Sequence, residues 1–332
     1  MFSVLVMVIK AGLIINPDAG KDIRRLVSSA SYLSNFTKVE LGKRVVMGLD
    51  AGGVDEVLIM HDNYGLGEDV FITLSKRVSA GLKLVETRGT GTALDTIVAA
   101  KKMKEDGVKA IVVVGGDGTL RAVFKGCGGD VPMVCVAAGT NNVTGAFYDA
   151  TLVGYAAGLV ATGKVLNDCL IKAKSLEVLL NGKSVDTAVI DVAVLKTPYI
   201  GARAIVDVDY LAYAVFSKGE PTDIGLASIL GFLRPTSFES DLGYLVEFGE
   251  GGLKVRSVVM PGEFREVSIK SFRPVSIGEV VEIPQDRYTV ALDGERELEV
   301  TKDDVVGVKL LRNGPLLINV CRVLRSVSVM GG

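Results

Sequence analysis

Ile111-Val112-Val113-Val114 runs straight into Gly115-Gly116-Asp117-Gly118-Thr119, and Leu120, Val123 and Phe124 then fall on one face of a helical pattern. A near-continuous run of β-branched residues fits a strand buried on both faces, the kind found in parallel sheets. A strand that ends in glycines and opens a helix leaves backbone N–H groups without partners, and the helix dipole adds about half a positive charge beside them. Such an end suits a phosphate, and glycines let the backbone approach the anion closely. An acid inside that loop repels the anion next to it. Asp117 makes sense there if it takes a proton from an attacking hydroxyl, or if it holds a metal that bridges phosphates. The competing reading is a plain Gly-Asp-Gly turn between strand and helix.

Working outward, further apolar runs lie at Val8–Ile15, which ends at Asn16-Pro17, at Glu56–His61 (EVLIMH) and at Met133–Ala137 (MVCVA). Between them, Ala93, Ile97, Ala100 and Met103 recur at helical spacing opposite Lys101, Lys102 and Lys104, which predicts a helix over Ala93–Glu105. Thr92, with Asp95 three residues on, is a capping signature for it, and Leu152–Val160 reads as another helix. Alternating strands and helices predict an α/β domain with an open, mostly parallel sheet over 1–164.

Past Gly163 the pattern changes. Ser175–Leu180, the turn Asn181-Gly182 and then Ser184–Val194 predict a hairpin, because Asn-Gly accepts the positive φ angles of a tight turn. Short runs continue at Gly243–Phe248, Lys254–Met260, Glu266–Ile269, Glu279–Ile283, Tyr288–Leu292 and Val305–Leu311, with one helical insert at Thr222–Leu233. Residues 165–316 thus read as a β-rich antiparallel second domain. The closing segment, 317–332, is expected to return to the first.

With 332 residues, 48% hydrophobic and 23% charged, the chain can build a core in each of two domains. A formal net charge of −2 argues against a basic field that would hold nucleic acid. The early apolar run Phe2–Ile9 has eight residues, against roughly 20 for a membrane span, and it lacks the flanks of a secretory signal. Cys127, Cys135, Cys169 and Cys321 show no paired spacing and read as free thiols, so a soluble cytoplasmic protein is expected. His61 is the lone histidine, which excludes a multi-histidine metal site and disfavours a Ser-His-Asp relay. Neither the Gly-x-Gly-x-x-Gly fingerprint nor a Walker lysine loop occurs, against a dehydrogenase and a P-loop ATPase.

The string Gly115–Thr119 (GGDGT) resembles the signature of the NAD kinase and diacylglycerol kinase superfamily, which joins an α/β first domain to a β-rich second one. Leu13–Lys21 (LIINPDAGK) resembles its first nucleotide loop, with Asn16, Gly20 and Lys21 at matching places. Tyr199–Asp207 (YIGARAIVD), Asp223–Pro235 (DIGLASILGFLRP), Ala291–Glu297 (ALDGERE) and Gly314–Leu324 (GPLLINVCRVL) narrow the resemblance to the AcoX proteins of acetoin operons and their archaeal relatives, a family described as ATP-NAD kinases. The resemblance implies a kinase that uses ATP and Mg²⁺ and a small hydroxyl-bearing acceptor, NAD being the first candidate, and it implies a homo-oligomer. It casts Asp117 as the base, and Gly115, Gly116, Gly118 and Thr119 as phosphate holders, with Asn16 beside the nucleotide. Gly139, Thr140 and Asn142 resemble the lipid kinases' GTGND element, with a loop and Asn caps as the alternative. Asp293-Gly294-Glu295 resembles a C-terminal element in which Asp293 or Glu295 supports Mg²⁺ or the nucleotide; a strand-end turn is the alternative.

Departures from the superfamily fall on the acceptor side. The Asn-Glu pair by which NAD kinases grip the acceptor is absent from the chain, and Ile190 and Asp191 stand in the corresponding place. An aliphatic side chain supplies none of the amide's donors and acceptors. The glycine-rich GSTAY-type stretch is matched loosely by Thr222–Gly231, without the tyrosine. Arg203 and Asp207 either meet the acceptor or pair with each other. Gly89-Thr90-Gly91-Thr92 reads as a helix entrance that could also touch a nucleotide, and His61 as an ordinary surface or core residue. A kinase of a polyol, nucleoside or lipid, and a non-catalytic nucleotide sensor, remain as alternatives.

Overall fold

A computed structural model of the chain describes residues 8–330, apart from 22, 31, 166, 198, 200–203 and 206. The apolar runs of the first half form strands β1 (Lys10–Ile15), β2 (Glu56–Met60), β3 (Gly81–Val85), β4 (Ala110–Gly115) and β5 (Pro132–Ala137). They pair in parallel in the order β3-β2-β1-β4-β5. Side chains alternate between the two faces, as the twofold period of a strand requires. Leu13, Ile15, Val112 and Val114 pack against the helices Asn35–Ala51 and Ala150–Ala161. Ile14, Ile111 and Val113 face the opposite way, toward Ala93–Glu105 and Asp117–Cys127. Helices on both faces explain why these strands carry hardly any polar residue.

The sheet ends in segments from far along the chain. Leu316–Ile318 pairs in parallel with β5, and Leu170–Lys172 pairs antiparallel beyond it. The helix Val320–Met330 follows, with Val320 and Val323 buried in the core of the first sheet. Of the early apolar run, Phe2–Met7 lies outside the described residues; among those described, no helix is long and apolar enough to cross a membrane.

The second half is a sandwich of two antiparallel sheets. One has six strands in the order 263–276, 242–260, 211–216, 191–195, 288–292 and 295–300; the other has four, in the order 280–283, 306–311, 175–180 and 183–188. Leu176, Val178, Val308 and Leu310 meet Val192, Val194, Val290 and Leu292 between them. The far face of the larger sheet is covered by the helix Leu226–Leu233 through Ile229 and Leu230.

Asn181 (φ 51°) and Gly182 (φ 76°) make the tight turn that the hairpin reading requires. Two strands read differently from the sequence. Ser184–Val194 is not one strand: Lys183–Ala188 belongs to the four-stranded sheet and Asp191–Leu195 to the six-stranded one. The break falls where the Asp293 carboxylate accepts the N–H groups of Val189 and Ile190, at 3.0 and 2.8 Å. Conversely, Gly243–Phe248 and Lys254–Met260 are parts of one strand, Leu242–Met260, whose pairing with Glu263–Ser276 continues across an irregularity at Phe248–Leu253.

Candidate active site

In this sheet β1 has β2 on one side and β4 on the other, so the chain winds outward in both directions from the β1/β4 pair. The loops that leave such a pair diverge and open a crevice beyond the strand ends. Asn16 follows β1 and Gly116 follows β4, and a cleft of about 390 Å³ opens between them. That volume is within the range of small-molecule sites, about 300–1,000 Å³.

The two loops are fastened to each other. The Asn16 N–H donates to the Val114 carbonyl at 3.0 Å, and its side-chain Nδ2 donates to Thr119 Oγ1 at 2.8 Å. Behind the first loop, Lys38 is fully buried and its Nζ donates to the carbonyls of Pro17 and Ala19, at 2.6 and 2.8 Å. Burial, with the Lys21 charge nearby, pulls its pKa down to about 8. Gly20 lines the cleft in a left-handed conformation (φ 71°). Lys21 does not line it; its Nζ lies 3.6 Å from Asp18 Oδ1 and 5.0 Å over the Tyr64 ring.

Gly116 caps the helix Asp117–Cys127, so the free N–H groups of its first turn point into the cleft. Gly139, from the loop after β5, touches Gly116 so closely that a Cβ on Gly139 would lie 2.7 Å from the Gly116 Cα. The second loop therefore does adjoin the first, and Gly139 and Thr140 line the cleft with Gly116, Gly118 and Thr119. Gly115 lies beneath, as the last residue of β4. Asn142 turns away from the cleft: its Oδ1 accepts the Gly139 N–H at 2.9 Å and its Nδ2 donates to the Gly139 carbonyl at 2.8 Å. Its role is to close the loop, and the neighbouring Asn141 is the residue on the wall.

Asp117 is the first residue of the helix and is 7% exposed. Its Oδ1 accepts the N–H and the hydroxyl of Thr144, at 2.9 and 2.6 Å, and its Oδ2 accepts the Val143 N–H at 2.9 Å. Burial raises its pKa, against the pull of these donors. The carboxylate also borders a second, smaller chamber of about 30 Å³. Cleft and chamber share Arg24, Asp117, Asn141 and Asp293, so Asp117 stands at their junction.

Two further acids reach this junction. Asp191 is 4% exposed and borders the chamber; its Oδ1 has no hydrogen-bond partner among the described residues. Burial, together with the charges of Asp293 and Asp117, raises its pKa well above the usual carboxylate range. Asp293 (φ 50°) and Gly294 (φ 80°) form the tight turn between Tyr288–Leu292 and Glu295–Val300, so the turn reading holds. The Asp293 side chain, 1% exposed, points inward to the N–H groups of residues 189 and 190, with Arg121 Nε 3.9 Å away. Burial raises its pKa to about 6, opposed by Arg121.

Asp293 Oδ1 is taken up by the N–H groups of Val189 and Ile190, and the Arg121 guanidinium 3.9 Å from Oδ2 competes with a metal ion there. Glu295 does line the cleft, its Oε1 lying 3.3 Å from where a Cβ on Gly118 would be. Among the described residues, no group of three or more acidic, histidine or cysteine side chains is arranged to hold a metal ion.

Of the remaining acceptor-side candidates, Asp207 is not gathered here. Asp207 borders neither cavity, and its Oδ1 accepts the Asp209 N–H at 2.9 Å. Arg203 lies outside the described residues, and with it the Arg203–Asp207 pairing. Gly91 and Thr92 line the cleft while the Thr92 hydroxyl caps the helix Ala93–Glu105 at the Leu94 N–H, so this entrance is also a wall. His61 hydrogen-bonds Glu86 at 3.0 Å at the surface.

Sequence reasoning missed Arg121, Asn141 and Lys38. Arg121, one turn beyond Asp117, is 7% exposed and reaches Glu297 Oε1 at 2.8 Å, which ties the helix to the second half. Its i+4 spacing from Asp117 was a usable signal. Asn141 and Lys38 matter only through partners distant in sequence, which no local pattern reveals.

A family model for the ATP-NAD kinase N-terminal domain matches residues 12–165, and one for the C-terminal domain of acetoin catabolism protein X matches 174–313. Acetoin catabolism protein X of Cupriavidus necator is 35% identical over 327 residues, covering 95% of this chain and 91% of that protein. The chain belongs to the AcoX family. Within the NAD kinase and diacylglycerol kinase superfamily, this AcoX chain is also similar to two solved structures. A diacylglycerol kinase from Bacillus anthracis is 16% identical with a TM-score of 0.44, covering 93% of this chain and 96% of that one. An NAD kinase from Archaeoglobus fulgidus in complex with ATP is 14% identical with a TM-score of 0.44, covering 83% and 97%.

Proposed function

We propose that the chain transfers the γ-phosphoryl group of ATP to a hydroxyl of a small molecule, with Asp117 as the proton acceptor. The observation that carries this reading is the position of Asp117, at the mouth of a helix N-terminus and on the wall between a large cleft and a small chamber. The ATP-NAD kinase domain model over the first half supports it. Gly116 and Gly118 would hold the phosphates through N–H groups that are preorganised before the substrate arrives, with the Thr119 hydroxyl and the backbone of Gly139 and Thr140 walling the same space. Asn16 keeps the two loops in register. Among the described residues lining the cleft eight are acidic and three basic, so the triphosphate has to arrive with its own counter-cation.

Lone-pair accounting selects the reacting oxygen. Asp117 Oδ1 already accepts two hydrogen bonds, whereas Oδ2 accepts one, so Oδ2 keeps a site for the acceptor's proton. The ATP-NAD kinase domain model makes NAD, with its adenosine 2′-hydroxyl, one acceptor to assay with ATP, beside other hydroxyl compounds. Asp117→Asn is expected to lower turnover by about 10²–10⁴-fold, as loss of a general base does, while calorimetry still detects the nucleotide. Turnover retained in that variant would remove the base assignment.

The hydrogen bonds that Asp117 accepts favour one second reading, in which the carboxylate only clamps the loop and the protein senses nucleotide. A sensor would bind ATP and release no ADP with any acceptor.

A further inference from the structure

We infer that the phosphoryl acceptor is a short aliphatic alcohol or polyol whose hydroxylated end enters the small chamber beside Asp117, and that a nucleotide is not the acceptor. The inference rests on the kinase reading above and concerns only what the chamber admits. The chamber has a volume of about 30 Å³. A water needs about 10–15 Å³ of such space, so the chamber takes about two waters or a short hydroxylated fragment and is too small for a nicotinamide or adenine ring. Its walls away from the cleft are mostly aliphatic, including Ile190, Ile224, Leu226 and Val259, and no aromatic side chain lines it among the described residues. A planar heterocycle finds no stacking partner there.

Two polar atoms in this lining lack partners. Among the described residues, Asp191 Oδ1 and Asn141 Oδ1 are buried without a hydrogen-bond partner, an arrangement that costs stability unless a ligand or water completes it. Burial and its acidic neighbours favour the protonated form of Asp191, which can donate, whereas Asn141 Oδ1 can only accept. A hydroxyl, which does both, satisfies this pair. Ile190 and Ile224 then face the carbon skeleton.

A polyol with one hydroxyl anchored here presents a second toward Asp117 Oδ2. In the transfer, that O–H bond breaks and its proton moves to Oδ2, while the alcohol oxygen bonds to the γ-phosphorus. The bond from that phosphorus to the β–γ bridging oxygen breaks, ADP departs with its electron pair, and Asp117 later releases the proton to solvent.

The test incubates the full chain and ATP with glycerol, propane-1,2-diol or NAD, follows ADP release, and identifies products by phosphorus NMR. A phosphomonoester of glycerol or propanediol is expected, and no NADP. Ile224→Phe, which fills the chamber, should raise the acceptor KM about tenfold or more with nucleotide affinity unchanged. If that variant does not fold, Asp191→Ala, which removes the donor, should show the same split between KM and nucleotide affinity. NADP formation overturns the inference. Nucleotide binding with no transfer to either polyol overturns it too, while leaving the cleft reading in place. Absence of nucleotide binding brings down both.

Discussion

Asp117, Asp191 and Asp293 are three carboxylates gathered at one buried junction, and each has its pKa raised, chiefly by burial. Arg121 lies against Asp293 and cannot neutralise all three. A carboxyl whose pKa is higher folded than unfolded binds its proton more tightly in the native state, so stability falls as pH rises from the unfolded value toward the folded one. For Asp293 that window runs from 3.8 to about 6, and for Asp191 it extends in the same direction. Asp191→Asn fixes the uncharged form at the same size. Its melting temperature is expected to exceed that of the parent at pH 8, by roughly 2 °C or more, and to match it near pH 4. Equal melting temperatures at both values would mean that Asp191 is not held protonated.

At the level of elements, the site depends on two glycine loops meeting backbone to backbone. Gly139→Ala puts a methyl 2.7 Å from the Gly116 Cα, where backbone has to move. A destabilisation of about 1–3 kcal/mol is expected, with weaker nucleotide binding by calorimetry as the cradle opens. Unchanged binding would show that the contact does not shape the cleft. The glycine strings and the strands before them were legible in the sequence because local chemistry demands them: continuous apolar runs for strands covered on both faces, glycines where backbone meets backbone. Asp293 was legible as a turn residue, yet its inward carboxylate was not, because its partners at 189 and 190 lie about a hundred residues earlier. The same carboxylate splits 184–194 into strands of two sheets at a point with neither glycine nor proline. The runs 243–248 and 254–260, read separately from the sequence, are joined by the pairing with Glu263–Ser276. Asn142, placed by its motif on the wall, instead spends both amide ends on Gly139, whereas Asn141 gains its place from a contact with Gly225.

For the whole molecule, the chain's last segment is part of its first sheet. Leu316–Ile318 is the strand that joins β5 to Leu170–Lys172, and without it both lose their partners on that side. Ile318, Val320 and Val323 are at most 5% exposed in the core of the first sheet. At about 1.5–3 kcal/mol for each fully buried side chain, their removal alone costs roughly 5–9 kcal/mol, comparable to the roughly 5–15 kcal/mol that holds a typical protein folded. A chain ending at Asn313 is therefore expected to lose its cooperative thermal transition and its nucleotide binding together, although every residue that lines the cleft is still present. A cooperative melt with nucleotide affinity intact would show instead that the first sheet closes without its final strand. The cleft walls draw on helix Asp117–Cys127 from one half and on Asp293, Glu295 and Glu297 from the other, joined through Arg121. The sheet behind that helix is completed only by residues that follow the entire second half. The site is thus built by a chain that closes on its own beginning, and neither half presents it alone.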